Sequence, residues 1–162
     1  MASMDAKTKQ KTLRLISNGM YVLASRSAGQ FGVATVTWVT QASFKPPLIV
    51  AAVRMDSNVF RCLSESRYAV LHILGSDQIK IAQKFFSPTR GSDGELNGEP
   101  FFEGKTGAPI LENLPAYVEC KVVDICEKYG DHAIVIFEAV EVAYREGIEP
   151  LTIAGSPWEY GG

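Results

Sequence analysis

A run of hydroxyl and amide side chains occupies one extended segment, residues 35–43. Side chains in a strand alternate between two faces. One face of this segment therefore carries Thr35, Thr37, Val39, Gln41 and Ser43. The other face carries Trp38, Thr40 and the small Ala42. Polar groups at this spacing, helped by backbone N–H groups, can bind the rim of a flat polar heterocycle. A threonine-rich, half-exposed strand is the alternative, and this segment alone leaves both interpretations open.

A second group of candidate residues lies where an apolar run, residues 48–53, meets a predicted helix start. Unpaired N–H groups and the helix dipole make such a start attractive to phosphate. Arg54 can add a bidentate cation, and Ser57 a hydroxyl. The alternative is an ordinary helix cap by Asp56 or Ser57. The sequence has no G-x-G-x-x-G run and no P-loop, so a nucleotide would need another binding device.

The third candidate is the turn Gly130-Asp131-His132, which precedes a strand-like segment. A histidine at the mouth of a strand can donate a hydrogen bond or stack on a ring. A surface histidine beside a turn is the alternative. His72 lies within an apolar segment, which favours a structural role. No nucleophile elbow and no Cys–His pair is recognisable.

Composition excludes several classes of function. Apolar residues make up 46% and charged residues 21% of 162 residues, and the net charge is −2. This balance does not favour nucleic acid or an anionic membrane as a partner. No apolar run is long enough to span a bilayer, and the polar start does not resemble a signal peptide. We therefore expect a cytoplasmic protein.

The cysteines support the same expectation. Cys62, Cys120 and Cys126 are odd in number, which favours free thiols in a reducing compartment. Without a C-x-x-C run or neighbouring histidines, we expect no metal site. We expect residues 1–9 to be disordered or to derive from expression. Residues 10–162 are expected to form one domain.

The elements that must position these residues are mostly strands. Hydrophobic patterns and turn residues predict strands over residues 20–25, 31–43, 48–53, 68–74, 117–126, 132–144 and 151–154. Helices are predicted over residues 8–17, 57–66 and 77–86. The glycine- and proline-containing stretch 87–115 has no clear period and reads as a long loop. Because helices do not alternate with strands, an antiparallel barrel or sandwich is favoured over a parallel sheet.

In this order the segments resemble the flavin reductase family, whose fold is the FMN-binding split barrel. The specific parts are the W-V-T-Q-A-S-F-x-P-P run at residues 38–47 and the G-D-H of residues 130–132. Further matching runs are residues 18–23, 33–44, 46–50, 57–58, 85–87, 114–120 and 129–132. The resemblance covers about residues 10 to 155. The first run is also similar to the flavin reductase module of cyanobacterial diiron flavoproteins.

The resemblance implies a mainly β fold with short helices, a six-stranded antiparallel Greek-key barrel. It implies a homodimer with flavin mononucleotide (FMN) near the interface. It also implies a role for each candidate residue. Isoalloxazine contacts are Thr35, Thr37, Trp38, Val39 and Thr40; contacts near the phosphoribityl chain are Gln41 and Ser43; backing residues are Ala51, Ala52 and Val53; phosphate contacts are Arg54, Ser57 and Asn58; Phe85 packs near the ring or chain; and His132 faces the nicotinamide.

The implied activity is reduction of flavin by a nicotinamide nucleotide, NADH or NADPH. FMN is the expected flavin, with FAD and riboflavin as alternatives, and an oxygenase or redox protein would be the partner. Two other interpretations stay open: an FMN-binding, flavoredoxin-like electron carrier with little nicotinamide activity, and a related split barrel that binds haem. Trp158 and Tyr160, in the tail of residues 156–162, have no assigned role.

Overall fold

The computed structural model describes residues 3–162. Met1 and Ala2, part of the segment expected to be disordered or expression-derived, lie outside the described residues. The helices are α1 (Ala6–Leu13), α2 (Asn58–Ser66) and α3 (Ile79–Lys84). The strands are β1 (Tyr21–Ser27), β2 (Gln30–Val36), β3 (Val39–Ser43), β4 (Leu48–Arg54), β5 (Tyr68–Ile73), β6 (Gly91–Ser92), β7 (Glu95–Leu96), β8 (Glu99–Glu103), β9 (Pro109–Leu111), β10 (Tyr117–Cys126) and β11 (His132–Ala143).

The main sheet is antiparallel and has the strand order β2-β1-β5-β10-β11-β4-β3. Its two edge strands, β2 and β3, are consecutive in the chain. Only Thr37 and Trp38 connect them, and so short a connection spans at most roughly 11 Å. The sheet therefore curls until its edges meet, as a barrel does, and it leaves a split at this link.

The break at the link corrects one prediction. The sequence predicts a single strand over residues 31–43, whereas the chain leaves β2 after Val36 and enters β3 at Val39. Splitting that strand raises the main sheet from the six expected strands to seven. The alternation of residue types continues across the break, so the pattern by itself does not reveal it.

Three other segments differ from the sequence-based prediction. The stretch 87–115 is not a plain loop, because β6 to β9 form a small sheet of four short strands within it. Residues 151–154 form no strand but a single isolated bridge, Thr152 with Gly19, and the preceding Pro150 forms another with Gly75. Helix α1 begins at Ala6, inside the segment 1–9, because the Asp5 side chain caps it by accepting the Thr8 N–H at 2.9 Å.

Two apolar clusters lie on the two faces of β1. Leu23 faces the barrel interior with side chains of β4, β5, β10, β11 and helix α2, whereas Val22 and Ala24 face α3 and the small sheet. Being covered on both sides, β1 is continuously apolar from Val22 to Ala24. In the part of the chain that the structure describes, no helix has the length and hydrophobicity that a bilayer crossing requires.

Close packing fixes helix α2 against the barrel. Val59, Phe60 and Leu63 bury one face of the helix. At Gly32 in β2, an added Cβ would lie 2.5 Å from the Asn58 carbonyl and from the Val59 Cα. Glycine is therefore required there for the start of α2 to sit directly on β2.

His72 joins three elements from inside the protein. It is fully buried in β5; its Nδ1 lies 2.9 Å from the Val22 carbonyl, and its Nε2 accepts the Leu111 N–H at 2.9 Å. Accepting at Nε2 leaves the proton on Nδ1, which donates to Val22. Burial lowers the pKa of this imidazole to about 4. The structural role predicted for His72 agrees with these contacts.

We predict that His72 makes folding depend on pH. The unfolded histidine has a pKa near 6.5 and the folded one about 4, so the unfolded chain binds more protons between these values. The contribution of His72 is fully present above pH 6.5 and is lost as the pH falls, by about 3 kcal/mol near pH 4. Chemical denaturation of wild type and His72→Gln, which keeps a donor and an acceptor, measures this. Parallel pH curves for the two proteins would contradict it.

Candidate functional site

A cavity of about 410 Å³ opens at the split of the barrel, a size within the usual range for small-molecule sites. Its wall joins the edge strand β2, the link of Thr37 and Trp38, the end of β4, the start of α2, the end of α3, the start of β11 and the C-terminal tail. The lining residues are Ala34, Thr35, Val36, Thr37, Trp38, Ala52, Val53, Arg54, Ser57, Val59, Phe85, Phe86, His132, Ile153, Trp158, Glu159 and Tyr160. Most of this wall is apolar or aromatic, with few polar groups.

The two threonines in the wall use their hydroxyls differently. Thr35 donates to the Ala82 carbonyl at 2.7 Å and thereby ties β2 to α3. Thr37 is 8% exposed, and its Oγ1 has no hydrogen-bond partner within residues 3–162. Burying an unpaired hydroxyl is unfavourable, and such groups need an explanation. Since Thr37 lines the cavity, a ligand atom there would supply the missing partner.

The start of α2 supplies the second polar feature. Ser57 caps the helix by accepting the Phe60 N–H at 3.2 Å, and it donates to the Arg54 carbonyl at 2.7 Å. The Arg61 N–H donates to the Ser57 carbonyl at 3.2 Å. The N–H groups of the first turn point out of the helix, where an anion is favoured.

Arg54 lies beside that helix start and forms an ion pair with the Asp56 carboxylate. Its Nε and Nη2 donate to Asp56 at 3.0 and 2.8 Å. This hydrogen-bonded pair lowers the pKa of Asp56 and raises that of Arg54. The guanidinium is 64% exposed, so its remaining donors face solvent at the cavity edge.

His132 is held among aromatic rings next to Arg54, its neighbour across β4 and β11. Its ring lies 4.6 Å from the Trp38 ring between centroids, and its Nδ1 lies 2.7 Å from Asp131 Oδ1. Donation by Nδ1 to this carboxylate lowers the pKa of Asp131. Nε2, on the other side of the ring, lies 3.4 Å from the Tyr160 hydroxyl.

The cavity unites most of the residues singled out from the sequence. Those that line it are Thr35, Thr37, Trp38, Ala52, Val53, Arg54, Ser57, Phe85 and His132. The cavity does not include Val39, Thr40, Gln41, Ser43, Ala51 or Asn58. Their roles in cofactor binding stay predictions.

The structure gives a reason for each residue outside the cavity. The edge strand β3 carries Val39 to Ser43 and exposes Thr40 and Gln41 to solvent. Ala51 is fully buried in the core behind the cavity wall. Asn58 turns the other way and lines a second, polar cavity with Arg61.

The tail contributes residues that the sequence patterns did not assign. Trp158, Glu159 and Tyr160 line the cavity, as do Ile153 and Phe86. The sequence signal that could have indicated them is the presence of two aromatic residues, Trp158 and Tyr160, in a glycine-containing tail with no predicted strand or helix. Such residues on loops are disproportionately functional.

The family is established by sequence. The model of the flavin reductase like domain matches residues 13–157. This chain belongs to that family. The match confirms the resemblance and includes every cavity residue except Trp158, Glu159 and Tyr160.

Relatives and solved structures agree with this assignment. The flavin reductase-like chain is 32% identical over 143 residues to Diflavin flavoprotein A 1 of Synechocystis sp., covering 86% of this chain and 25% of that protein. It is 26% identical to FMN reductase (NADH) SmoA of Agrobacterium fabrum, covering 93% and 83% of the two chains. The chain spans about a quarter of the length of the diflavin flavoproteins it matches.

The fold is shared with NADH:FAD oxidoreductase SgcE6 of Streptomyces globisporus C-1027. The TM-score is 0.81 at 22% identity, over 100% of this chain and 98% of that one. The mainly β barrel class predicted from the sequence is therefore confirmed.

We predict opposite effects for the two cavity threonines on the stability of the ligand-free protein. Thr35→Val removes the bond to the Ala82 carbonyl and should lower the free energy of unfolding by about 1 kcal/mol. Thr37→Val removes an unpaired buried hydroxyl and should leave stability unchanged or raise it. Denaturant titration followed by circular dichroism measures both. Equal destabilisation would show that Thr37 already has a partner in the free protein.

Proposed function

We propose that this chain is an NAD(P)H-dependent flavin reductase that holds FMN in the cavity at the split. The observation that carries the proposal is the buried Thr37 hydroxyl, which has no hydrogen-bond partner among the described residues and lies in an apolar, aromatic-lined cavity beside a helix start. The family and the named activities of relatives such as FMN reductase (NADH) SmoA support it.

The residues present fit FMN in two places. The Thr37 hydroxyl and backbone groups of the link would bind the polar rim of the isoalloxazine, while Ala52 and Val53 would lie against its apolar part. The start of α2 with Ser57 and Arg54 would bind the phosphate. We propose this arrangement from the cavity wall and from the chemistry of these groups.

When bound, the flavin supplies the redox chemistry by accepting hydride. The protein would bind the flavin, orient it and exclude water from the ring. His132 would lie on the nicotinamide side, because its ring borders the cavity and Asp131 fixes which nitrogen carries the proton. Neither residue needs to act as a nucleophile.

We also propose a homodimer, supported by exposed apolar side chains on β11. Ile134, Val140 and Val142 on this strand are 43%, 46% and 64% exposed, and a partner chain would cover them. Sedimentation velocity would show a species of two chains. A monomer at micromolar concentration would contradict this part of the proposal.

An oxygenase or another redox protein would receive the reduced flavin, and the cytoplasm would be the compartment. The three cysteines are free thiols, two of them buried, which suits a reducing environment.

An anaerobic spectrum tests the proposed function. Purified protein loaded with FMN should show flavin absorbance near 450 nm, and NADH or NADPH should bleach it within seconds. Slow bleaching by both nucleotides, with rapid bleaching by dithionite, would instead indicate an electron carrier. A protein that retains no flavin would contradict the proposal.

Arg54 should distinguish FMN from riboflavin. Arg54→Ala removes a cation beside the proposed phosphate site, so FMN should bind roughly tenfold more weakly, while riboflavin should be little affected because it has no phosphate. Fluorescence titration measures both affinities. Arg26→Ala is a control, because Arg26 pairs with Glu103 and does not line the cavity. Equal losses for FMN and riboflavin would contradict the phosphate assignment.

A further inference from the structure

The C-terminal tail forms one wall of the flavin cavity through side chains outside the family match. Within residues 3–162, it makes no strand pairing beyond Thr152. Arg14 contacts it twice: Nη1 donates to Glu159 at 2.9 Å and Nε donates to the Gly161 carbonyl at 3.0 Å. Glu159 is 79% exposed, and exposed ion pairs stabilise little. Arg14 therefore positions the tail at the cavity but adds little to its stability.

The two aromatic residues of the tail have different surroundings. Trp158 packs against the core cluster around Met20 and makes an edge contact with Phe86 at 4.8 Å between ring centroids. Packing alone accounts for its presence. Trp158 is thus the anchor of the tail.

Tyr160 is not explained by packing. It is 41% exposed and belongs to none of the core clusters formed by residues 3–162. Its ring meets Trp38 edge to face at 5.2 Å, and its hydroxyl lies 3.4 Å from His132 Nε2. The tyrosine ring is thereby held in the cavity, next to the histidine proposed to face the nicotinamide.

We propose that Tyr160 contacts the nicotinamide ring and stabilises the positive charge that the ring acquires. This inference rests on the proposed function. When the C4–H bond of the reduced nicotinamide breaks, hydrogen leaves with both electrons for the flavin N5, and the neutral dihydropyridine becomes a pyridinium cation. The electron-rich face of a tyrosine attracts a cation. Tyr160 therefore favours the oxidised, cationic ring over the neutral one.

Charges near the tail are compatible with a cation there. Arg14 is paired with Glu159, and Arg54, which lines the same cavity next to His132, is paired with Asp56. Asp131 is exposed beside His132, and it adds negative charge on the same side. Each of the two cations thus has a carboxylate partner that offsets its repulsion of a pyridinium ring.

The experiment compares two nucleotides on FMN-loaded protein by isothermal titration calorimetry. NAD⁺ carries the cationic ring, and 1,4,5,6-tetrahydro-NAD is a neutral mimic that cannot transfer hydride. Tyr160→Leu should weaken NAD⁺ binding by roughly five- to thirtyfold and the neutral mimic by less than about twofold. Tyr160→Phe keeps the ring and should stay near wild type. Phe102→Leu, an exposed aromatic outside the cavity, is the matched control.

Three results would overturn the assignment of Tyr160. They are equal weakening of both nucleotides by Tyr160→Leu, unchanged binding of both, and tighter binding, which would make the tail an obstruction. Should Tyr160→Leu fail to retain FMN, pentafluorophenylalanine at position 160 keeps the shape and reverses the ring charge distribution. This variant should also weaken NAD⁺ binding more than binding of the neutral mimic. Equal binding changes for the two nucleotides would count against the proposed role of Tyr160.

The proposed function and the role of Tyr160 can fail separately. If NADH and NADPH do not reduce wild-type protein that holds FMN, the reductase proposal fails and the tail inference fails with it. If wild type is reduced normally and the variants show no preference for the cationic nucleotide, only the role of Tyr160 is rejected.

Discussion

The two-residue connection between β2 and β3 is the constraint on which the site depends. Since Thr37 and Trp38 must join the opposite edges of one curled sheet, neither residue can belong fully to either strand. The Thr37 hydroxyl is left buried with no hydrogen-bond partner from residues 3 to 162, and Trp38 is turned toward His132 at the start of β11. Barrel closure thus produces the cavity and its unpaired polar atom together.

The surrounding elements keep that split in place. Gly32 allows α2 to lie directly on β2, and Ser57, which caps the helix, lines the cavity. His72 connects β5 to β1 and to β9, because one ring nitrogen bonds to Val22 and the other to Leu111. The helix start contributes a partial positive charge that needs no ionisable group. Arg54 can add to this attraction for an anion, but its charge is partly neutralised by the ion pair with Asp56.

Much of this arrangement was predictable from local patterns, and the exceptions have physical causes. Strand and helix identities followed from hydrophobic period, and Ser57 followed from its position before an apolar helix face. The break in residues 31–43 did not, because strand alternation continues across it and only the global closure of the sheet interrupts pairing. The small sheet within residues 87–115 was missed because its strands are too short to show a period.

The site residues divide along the same line. Thr35, Thr37 and Ser57 were recognised because their side-chain chemistry is visible in the sequence, whereas the exclusion of Thr40 and Gln41 depends on which way an edge strand faces. Tyr160 lies near the C-terminus, and the hydrogen bonds from Arg14 to its neighbours Glu159 and Gly161 position it at the cavity. No local pattern predicts a contact between residues so distant in sequence.

The flavin affinity of variants at Thr37 shows whether its buried hydroxyl binds the cofactor. Isothermal titration of wild type, Thr37→Ser and Thr37→Val with FMN and with riboflavin separates the effect of the hydroxyl from that of the side-chain shape. Thr37→Val should weaken the binding of both flavins by roughly fivefold to tenfold, since one hydrogen bond to the shared ring is lost. Thr37→Ser should bind both nearly as wild type does. Unchanged or tighter flavin binding by Thr37→Val would mean that the hydroxyl does not contact the flavin.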